Sequence, residues 1–264
     1  MLGSITVTEE GDLKVHTYSA PEDGWVVNTH VIELGDQLIV IDAQYTLAFA
    51  NEVVAYTSTL NKPISRLYVT HYHPDHLLGA VAFSAPIFGL SEVAKKIEQV
   101  GDRVAGEERA KLGAVVPERA ERITDFVRPG QERVGGKIFR YIELCNAETA
   151  SALMIAIPEH GIFITQDLLY HRVHAFVGEL AFESWRNALA EFSRLGYGVL
   201  LPGHGAPGGP ELWEAMAFYL DAAEKTWKES TDADTFKQKM VELFPEHTGR
   251  VLLGHQGRFL YKQP

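Results

Sequence analysis

Four side chains of metal-binding type fall within six residues of this 264-residue sequence, in the segment "VTHYHPDHLLG". They are His71, His73, Asp75 and His76. A strand is predicted immediately before them, and residues two apart at its end project to the same side. Pro74 suits the first position of a helix, which would direct Asp75 and His76 from a different angle. Because imidazole nitrogen and carboxylate oxygen are natural zinc ligands, the segment predicts a metal site.

Composition limits the partners of such a site. The net charge is −11, from 24 basic and 35 acidic residues, which argues against a nucleic-acid-binding surface. Cys145 is the single cysteine, so no intrachain disulfide can form, and this fits a reducing compartment. The sequence has neither a signal-peptide pattern nor an apolar run of membrane-spanning length. We therefore expect a cytoplasmic protein that acts on a small molecule and binds neither nucleic acid nor membrane.

The elements that would position the histidines occur as a pattern that repeats. "WVVNTHVIEL" and "QLIVIDA" predict a hairpin around Gly35 and Asp36, followed by a helix and by the strand "SRLYVT". "SALMIAI" and "GIFITQD" predict a second hairpin that turns at "PEH", followed by the helix "ESWRNALAEFSRL" and the strand "GVLLPGHG". The first copy carries Asp42, and the second carries Asp167 and His204. Two facing sheets covered by helices would bring these strand-end loops to one edge.

Two further regions are predicted to be mainly helical. Residues 101–125 are charged, with Gly106, Gly113 and Pro117 as expected breaks. From about residue 210, "GPELWEAMAFYLDAAEKTWKES" predicts a long helix in a C-terminal extension of a single domain spanning residues 1–264. That helix could cover an outer face or pair with a second copy as a homodimer.

The histidine cluster, together with Gly79, resembles the HxHxDH motif of the metallo-β-lactamase fold superfamily. The resemblance extends over most of the chain, through "IVIDA", "ITQDLL" and "LLPGHG". It implies an α/β fold, an αββα sandwich of two facing mixed sheets with helices outside. It also implies two divalent metal ions, most commonly Zn²⁺, in a shallow groove at one edge. The residues it assigns to them are His71 and His73 for the first ion, Asp75, His76 and His204 for the second, and Asp167 as the bridge.

One ligand of the family pattern is replaced. The superfamily usually has a third histidine for the first ion, whereas Glu148 stands at the corresponding place in "NAETASALMIAIPE". Either two histidines and this carboxylate hold the ion, or the ion is bound weakly. The 19 residues from Glu148 to Asp167 resemble the spacing of carboxylates in the alkylsulfatase branch. An additional anionic ligand lowers the Lewis acidity of the metal and admits Mn²⁺ or Fe²⁺ more readily.

The resemblance implies a hydrolase, in which a hydroxide shared by two ions cleaves a small-molecule ester, lactone, amide or sulfate ester. Asp75 would bind metal and orient the nucleophile, and Tyr170 resembles a tyrosine with which lactonases contact the substrate oxygen. Two alternatives remain open. His71, His73 and Glu148 would suit a mononuclear iron(II) dioxygenase of a sulfur substrate, or the chain could be a non-catalytic member of the fold.

Other polar residues are predicted near the site. We expect Asp42 to hold a ligand histidine in one tautomer. Gln166 replaces the small residue that commonly precedes the bridging aspartate, and it is expected to crowd the site. His171 and His174 could shape the pocket, carry protons, or be ordinary loop residues. His255 could fold back towards the site or lie on the surface.

Overall fold

Two β-sheets form the centre of the protein, for which a computed structural model describes residues 1–261. The first sheet contains, in spatial order, β1 (Ser4–Glu10), β2 (Leu13–Ser19), β3 (Asn28–Glu33), β4 (Leu38–Ile41), β5 (Ile64–Tyr68), β6 (Ile87–Leu90) and β7 (Asp125–Val127). Strands β1 to β4 pair antiparallel, and β4 to β7 pair parallel.

The second sheet follows in the chain and is mostly antiparallel. It contains β8 (Gly130–Val134), β9 (Lys137–Cys145), β10 (Ser151–Ile157), β11 (Ile162–His171) and β12 (Val199–Gly205). Only the pair β11 and β12 is parallel among the pairs of this sheet in residues 1–261. Both sheets of the predicted αββα sandwich are thus confirmed, each mixed in strand direction.

Seven α-helices accompany the sheets in the described part of the chain. They are α1 (Leu47–Thr59), α2 (Pro74–Leu77), α3 (Ser91–Leu112), α4 (Phe182–Phe192), α5 (Glu211–Lys228), α6 (Ala233–Leu243) and α7 (Arg250–Leu260). Within residues 1–261, none of the helices combines the length and the apolarity needed to cross a membrane.

The two sheets are joined by hydrogen bonds as well as by apolar packing. The hydroxyls of Tyr68 in β5 and Tyr141 in β9 lie 2.7 Å apart, and both side chains are buried. The Asn28 amide of β3 donates to the backbone oxygens of Pro202 (2.9 Å) and Gly205 (2.6 Å) in β12. These contacts bring the ends of β4, β5, β11 and β12 together at one edge of the sandwich.

Both predicted hairpins are present. β3 and β4 turn at Gly35–Asp36, where the backbone N–H of Leu34 donates to Gln37 O over 3.0 Å. β10 and β11 turn at Pro158–His160. The order of hairpin, aspartate, helix, strand and histidine therefore occurs twice in the chain. Each copy ends at the same edge of the sandwich, where β4, β5, β11 and β12 end.

The expected break at Gly106 is wrong, since α3 runs without interruption from Ser91 to Leu112. A glycine inside a helix costs about 1 kcal/mol relative to alanine. The buried side chains of Val93, Ile97 and Ala105 offset that cost by packing into the core. The helix ends where expected at Gly113, whose φ of +75° suits glycine.

Candidate metal centre

Seven ligand-type side chains meet at the edge where the strands end. They form two groups, in each of which the ligand atoms lie within 4.8 Å of one another, and Asp42 lies equally close to His71 and His76. The first group is His71, His73, Glu148 and Asp167, and the second is Asp75, His76 and His204. The structure thus brings together all seven residues that the sequence suggested as ligands.

The first group includes Glu148 in the place of the third histidine. Its Oε1 lies 2.9 Å from His73 Nδ1, and its Oε2 lies 3.7 Å from His71 Nε2. Glu148 is 1% exposed, so it is not a solvated loop residue.

The second group is arranged around the carboxylates of Asp75 and Asp167. Asp75 Oδ2 lies 3.3 Å from His204 Nε2 and 3.5 Å from His76 Nε2. Asp167 Oδ1 lies 3.3 Å from His76 Nε2, and its Oδ2 lies 3.3 Å from His204 Nε2 and 3.9 Å from His71 Nε2. Asp167 therefore faces both groups, as a bridging ligand must.

Local backbone features place these side chains. His71 follows β5, and Pro74 begins α2 at its first position, so Asp75 and His76 lie in the first turn of that helix.

Two glycines near the ligands allow neighbouring atoms to approach the backbone more closely than a side chain would permit. A Cβ on Gly79 would lie 1.9 Å from Ala43 O, and a Cβ on Gly203 would lie 1.8 Å from Asp167 Oδ1.

Hydrogen bonds behind the ligands set the orientation of the imidazole rings. His76 Nδ1 donates to Asp42 Oδ2 over 2.7 Å, and His204 Nδ1 donates to Trp25 O over 2.9 Å. His71 Nδ1 lies 3.0 Å from Thr70 Oγ1, which itself donates to Asp42 Oδ2. With Nδ1 used in this way, each of the three rings presents Nε2 to the centre.

Gln166 also contacts Asp42, because its side-chain amide donates to Asp42 Oδ2. The Gln166 side chain thus links the second sheet to the first and does not line the cavity at the site. Asp42 (φ +62°), Gln166 (φ +44°) and Trp25 (φ +63°) all have left-handed backbones. Strain of this kind costs on the order of 1–3 kcal/mol per residue and commonly concentrates at functional sites.

The donor set fits divalent metal ions. Five buried ligand atoms make no hydrogen bond of good geometry, although Glu148 Oε1 lies 2.9 Å from His73 Nδ1, and burying such atoms without a partner is costly. They are His71 Nε2, His76 Nε2, Glu148 Oε1 and Oε2, and Asp167 Oδ1. All of them point at the two groups, and the mixture of nitrogen and oxygen donors is the one that zinc, manganese and iron(II) accept.

The groups shift one another's pKa strongly. Burial raises the pKa of Glu148 to about 7. Burial acts to lower the pKa of His204, but the carboxylates of Asp167 and Asp75 outweigh it and raise the pKa to about 9. Burial also opposes ionisation of Asp75, yet the imidazoles of His76 and His204 hold its pKa below the usual range. Protons and metal ions therefore compete for the same atoms.

Tyr170 lies inside the site. Its hydroxyl donates to Asp167 Oδ2 over 2.6 Å, and its ring stacks on His204 at 4.7 Å between centroids. Burial and the Asp167 carboxylate raise the pKa of Tyr170 well above its usual value, so the hydroxyl keeps its proton.

His171 and His174 lie elsewhere. His171 Nδ1 contacts Ala206 O at 2.8 Å, and His174 Nδ1 contacts the Tyr219 hydroxyl at 3.2 Å. Neither lines the cavity over the two groups. Both follow Tyr170 closely in sequence, but the chain turns away from the site after β11 ends.

A cavity of about 300 Å³ opens onto the two groups. Part of its wall comes from the C-terminal helix α7, which places His255 beside the site. Trp25 and Phe176 also line the cavity. Sequence reasoning left the position of α7 open, because its place depends on long-range contacts such as the bridge between Val173 and Thr248.

Residues 23–204 match the family profile described as "Metallo-beta-lactamase superfamily". The chain belongs to the metallo-beta-lactamase superfamily. This match ends at His204, so helices α5 to α7 lie beyond it. A comparison of this superfamily member with curated proteins finds no match.

Solved structures of metallo-beta-lactamases have the same fold as this superfamily member. A metallo-beta-lactamase from Pontibacter korlensis gives a TM-score of 0.63 at 17% identity, covering 83% of this chain and 99% of that one. FIM-1 from Pseudomonas aeruginosa in its mono-zinc form gives a TM-score of 0.59 at 20% identity, covering 83% of this chain and 96% of that one. At these identities the similarity concerns the fold alone. The alkylsulfatase resemblance at Glu148 stays a prediction.

Proposed function

We propose that the protein is a metal-dependent hydrolase that holds two divalent ions, most commonly Zn²⁺. Its substrate is a small-molecule ester, lactone, amide or sulfate ester. The observation that carries this proposal is the position of Asp167, which faces both ligand groups at 3.3–3.9 Å from three imidazole Nε2 atoms.

Bound ions would lower the pKa of water and polarise the scissile group. The chain's own residues do the rest. Asp75 keeps its carboxylate ionised at neutral pH and accepts a hydrogen bond from the attacking water, which orients that water. Asp42 and Trp25 O hold His76 and His204 in fixed tautomers, so these ligands need no rearrangement during turnover.

Tyr170 supplies a hydrogen-bond donor for the substrate. Its hydroxyl is protonated at neutral pH and donates its single proton to Asp167 Oδ2. Once the Asp167 carboxylate binds metal, the Tyr170 hydroxyl is released to turn that proton towards an oxygen of the scissile group. A preorganised donor in a buried site stabilises charge that develops on that oxygen in the transition state.

A mononuclear iron(II) dioxygenase of a sulfur substrate is the second candidate. The arrangement of His71, His73 and Glu148 favours it, since two histidines and one carboxylate suit iron(II). The complete second group of Asp75, His76 and His204 favours the hydrolase. The same group and the five buried atoms without a hydrogen bond of good geometry argue against a non-catalytic member of the fold.

Partners and location are part of the proposal. With a net charge of −11, we propose a cytoplasmic enzyme of small molecules that binds neither nucleic acid nor membrane. A homodimer through α5 remains an expectation.

Hydrolysis of a panel of esters, lactones, amides and sulfate esters tests the proposal. We expect chelation to abolish turnover and Zn²⁺ or Mn²⁺ to restore it. Tyr170→Phe should lower kcat by roughly 100-fold through loss of one donor, with unchanged metal content. Oxygen consumption with a thiol substrate, in the presence of Fe²⁺ alone and without hydrolysis, would support the dioxygenase instead.

A further inference from the structure

The cavity above the metal groups has one strongly apolar side, which we call the aromatic wall. It consists of Trp25, Phe176, His255 and Phe259. The ring of Phe176 lies 5.4 Å from that of the ligand-type residue His73, 5.3 Å from Phe259 and 6.0 Å from His255. The Trp25 and His255 rings are 4.6 Å apart. The wall is thus continuous from the metal centre outwards to α7.

Several charged side chains around the cavity contact neighbouring residues of the protein. Arg103 Nη1 lies 2.6 Å from Glu107 Oε1, and the Arg258 guanidinium lies over the Phe259 ring at 4.8 Å. Glu108 accepts from the Tyr45 hydroxyl at 2.5 Å and from Lys111 Nζ at 2.6 Å. Each of the two guanidinium groups thus has a partner on its own helix, Arg103 on α3 and Arg258 on α7.

Most of the charged side chains that line the cavity are acidic. Six carboxylates line the cavity, namely Asp75, Glu107, Glu108, Glu148, Asp167 and Glu179, against two guanidinium groups. Two divalent ions would offset most of the resulting excess of negative charge. The apolar wall then favours an uncharged ligand group.

We propose that the aromatic wall is a subsite for an uncharged apolar group that the substrate carries next to the bond to be cleaved. This inference rests on the proposed hydrolase function. Two of the four rings, His255 and Phe259, belong to α7, which lies beyond the residues that match the superfamily. Helix α7 thus helps to determine which substrates this chain accepts. The superfamily match does not include this helix.

Binding of uncharged amides to the metal-loaded protein tests the subsite, under conditions in which product analysis shows no hydrolysis of the amides. We expect 3-phenylpropanamide and hexanamide to bind more tightly than acetamide, with a negative heat-capacity change in calorimetry. Phe259→Ala should weaken binding of the two larger amides by about tenfold, because it removes apolar contact area. It should leave acetamide binding and metal content unchanged, and Phe259→Leu should recover most of the affinity.

Val251→Ala is the matched control, since Val251 is on α7, is 37% exposed and does not line the cavity. It should change none of these affinities. Equal affinities for the three amides, or equal effects of Phe259→Ala and Val251→Ala, would overturn the subsite.

Esters separate this inference from the proposed function. If the larger amides bind as expected and no 3-phenylpropanoyl or acetyl ester is hydrolysed, the hydrolase proposal fails and the subsite stands. If both esters are hydrolysed with equal kcat/KM and Phe259→Ala changes neither, the function stands and the subsite fails.

Discussion

Three buried carboxylates, Asp75, Glu148 and Asp167, share the candidate metal centre of this protein. Each brings a negative charge to the same two groups, and a histidine in place of Glu148 would bring none. Anionic ligands donate more charge to a metal ion than imidazole does, so they lower its acidity. At the scale of single residues, Glu148 is therefore the side chain expected to tune both the affinity and the identity of the bound metal.

Replacing Glu148 tests this role. Glu148→Gln keeps the shape of the side chain and removes its charge, so we expect metal affinity to fall at least about tenfold. A loss of about tenfold is already typical when only a residue that hydrogen-bonds to a metal ligand is replaced. Glu143→Gln is the control, because Glu143 contacts Ser151 in the neighbouring strand. Competition with a fluorescent chelator measures both variants, and unchanged affinity in Glu148→Gln would mean that Glu148 is not a ligand.

The pH dependence of metal binding follows from the same side chains. With pKa values of about 7 for Glu148 and about 9 for His204, both groups carry protons at pH 6, and metal must displace them. Affinity should therefore rise with pH across this range. Calorimetry in buffers of different ionisation enthalpy should show proton release that is larger at pH 6 than at pH 10. Glu148→Gln should release about one proton fewer at pH 6, and equal release by both proteins would refute the assignment.

Spacing alone indicated that His71, His73, Asp75 and His76 converge on a metal site. The resemblance to the superfamily implied the rest: it assigned Asp167 and His204, and Glu148 was placed by aligning "SALMIAIPE" with the superfamily's hairpin. The contacts of Trp25 O with His204 and of Gln166 with Asp42 join segments more than a hundred residues apart. Such contacts depend on how the sheets pack, so local patterns do not reveal them.

At the scale of elements, the strand ends of both sheets position the ligands. The two central hairpins were predicted from apolar runs bounded by turn residues. Helices α4 and α5 were predicted from apolar residues at helical spacing, and α1 was predicted too, although its apolar residues are spread around the helix. The edge strand β1 was missed because it is largely exposed and lacks an apolar face. Helix α7 was missed because its sequence does not indicate which surface it packs on, although it completes the cavity.

A single methyl group on Gly203, inside strand β12, should disrupt the site without disrupting the fold. In Gly203→Ala the new Cβ would lie 1.8 Å from Asp167 Oδ1, so Asp167 must move and metal content should fall. Gly198→Ala is the control, since no atom lies within 4 Å of its added Cβ. It should change stability by at most about 0.5 kcal/mol. Full metal content in Gly203→Ala, measured by elemental analysis, would contradict the bridging role of Asp167.

At the scale of the whole molecule, two sheet-and-helix halves bring their strand ends to one edge, and each half supplies part of each ligand group. The first half provides the clustered histidines and Asp75, and the second provides Glu148, Asp167 and His204. Neither half has a complete site. The central claim is therefore that the assembled sandwich holds two divalent ions.

The metal content of the full chain, purified without chelators and measured by inductively coupled plasma mass spectrometry, tests this claim most directly. We predict two divalent ions per chain, predominantly zinc, because both ligand groups are assembled and Asp167 of the first lies 3.3 Å from two imidazoles of the second. One iron per chain, or no metal after incubation with excess Zn²⁺, Mn²⁺ or Fe²⁺, would contradict it.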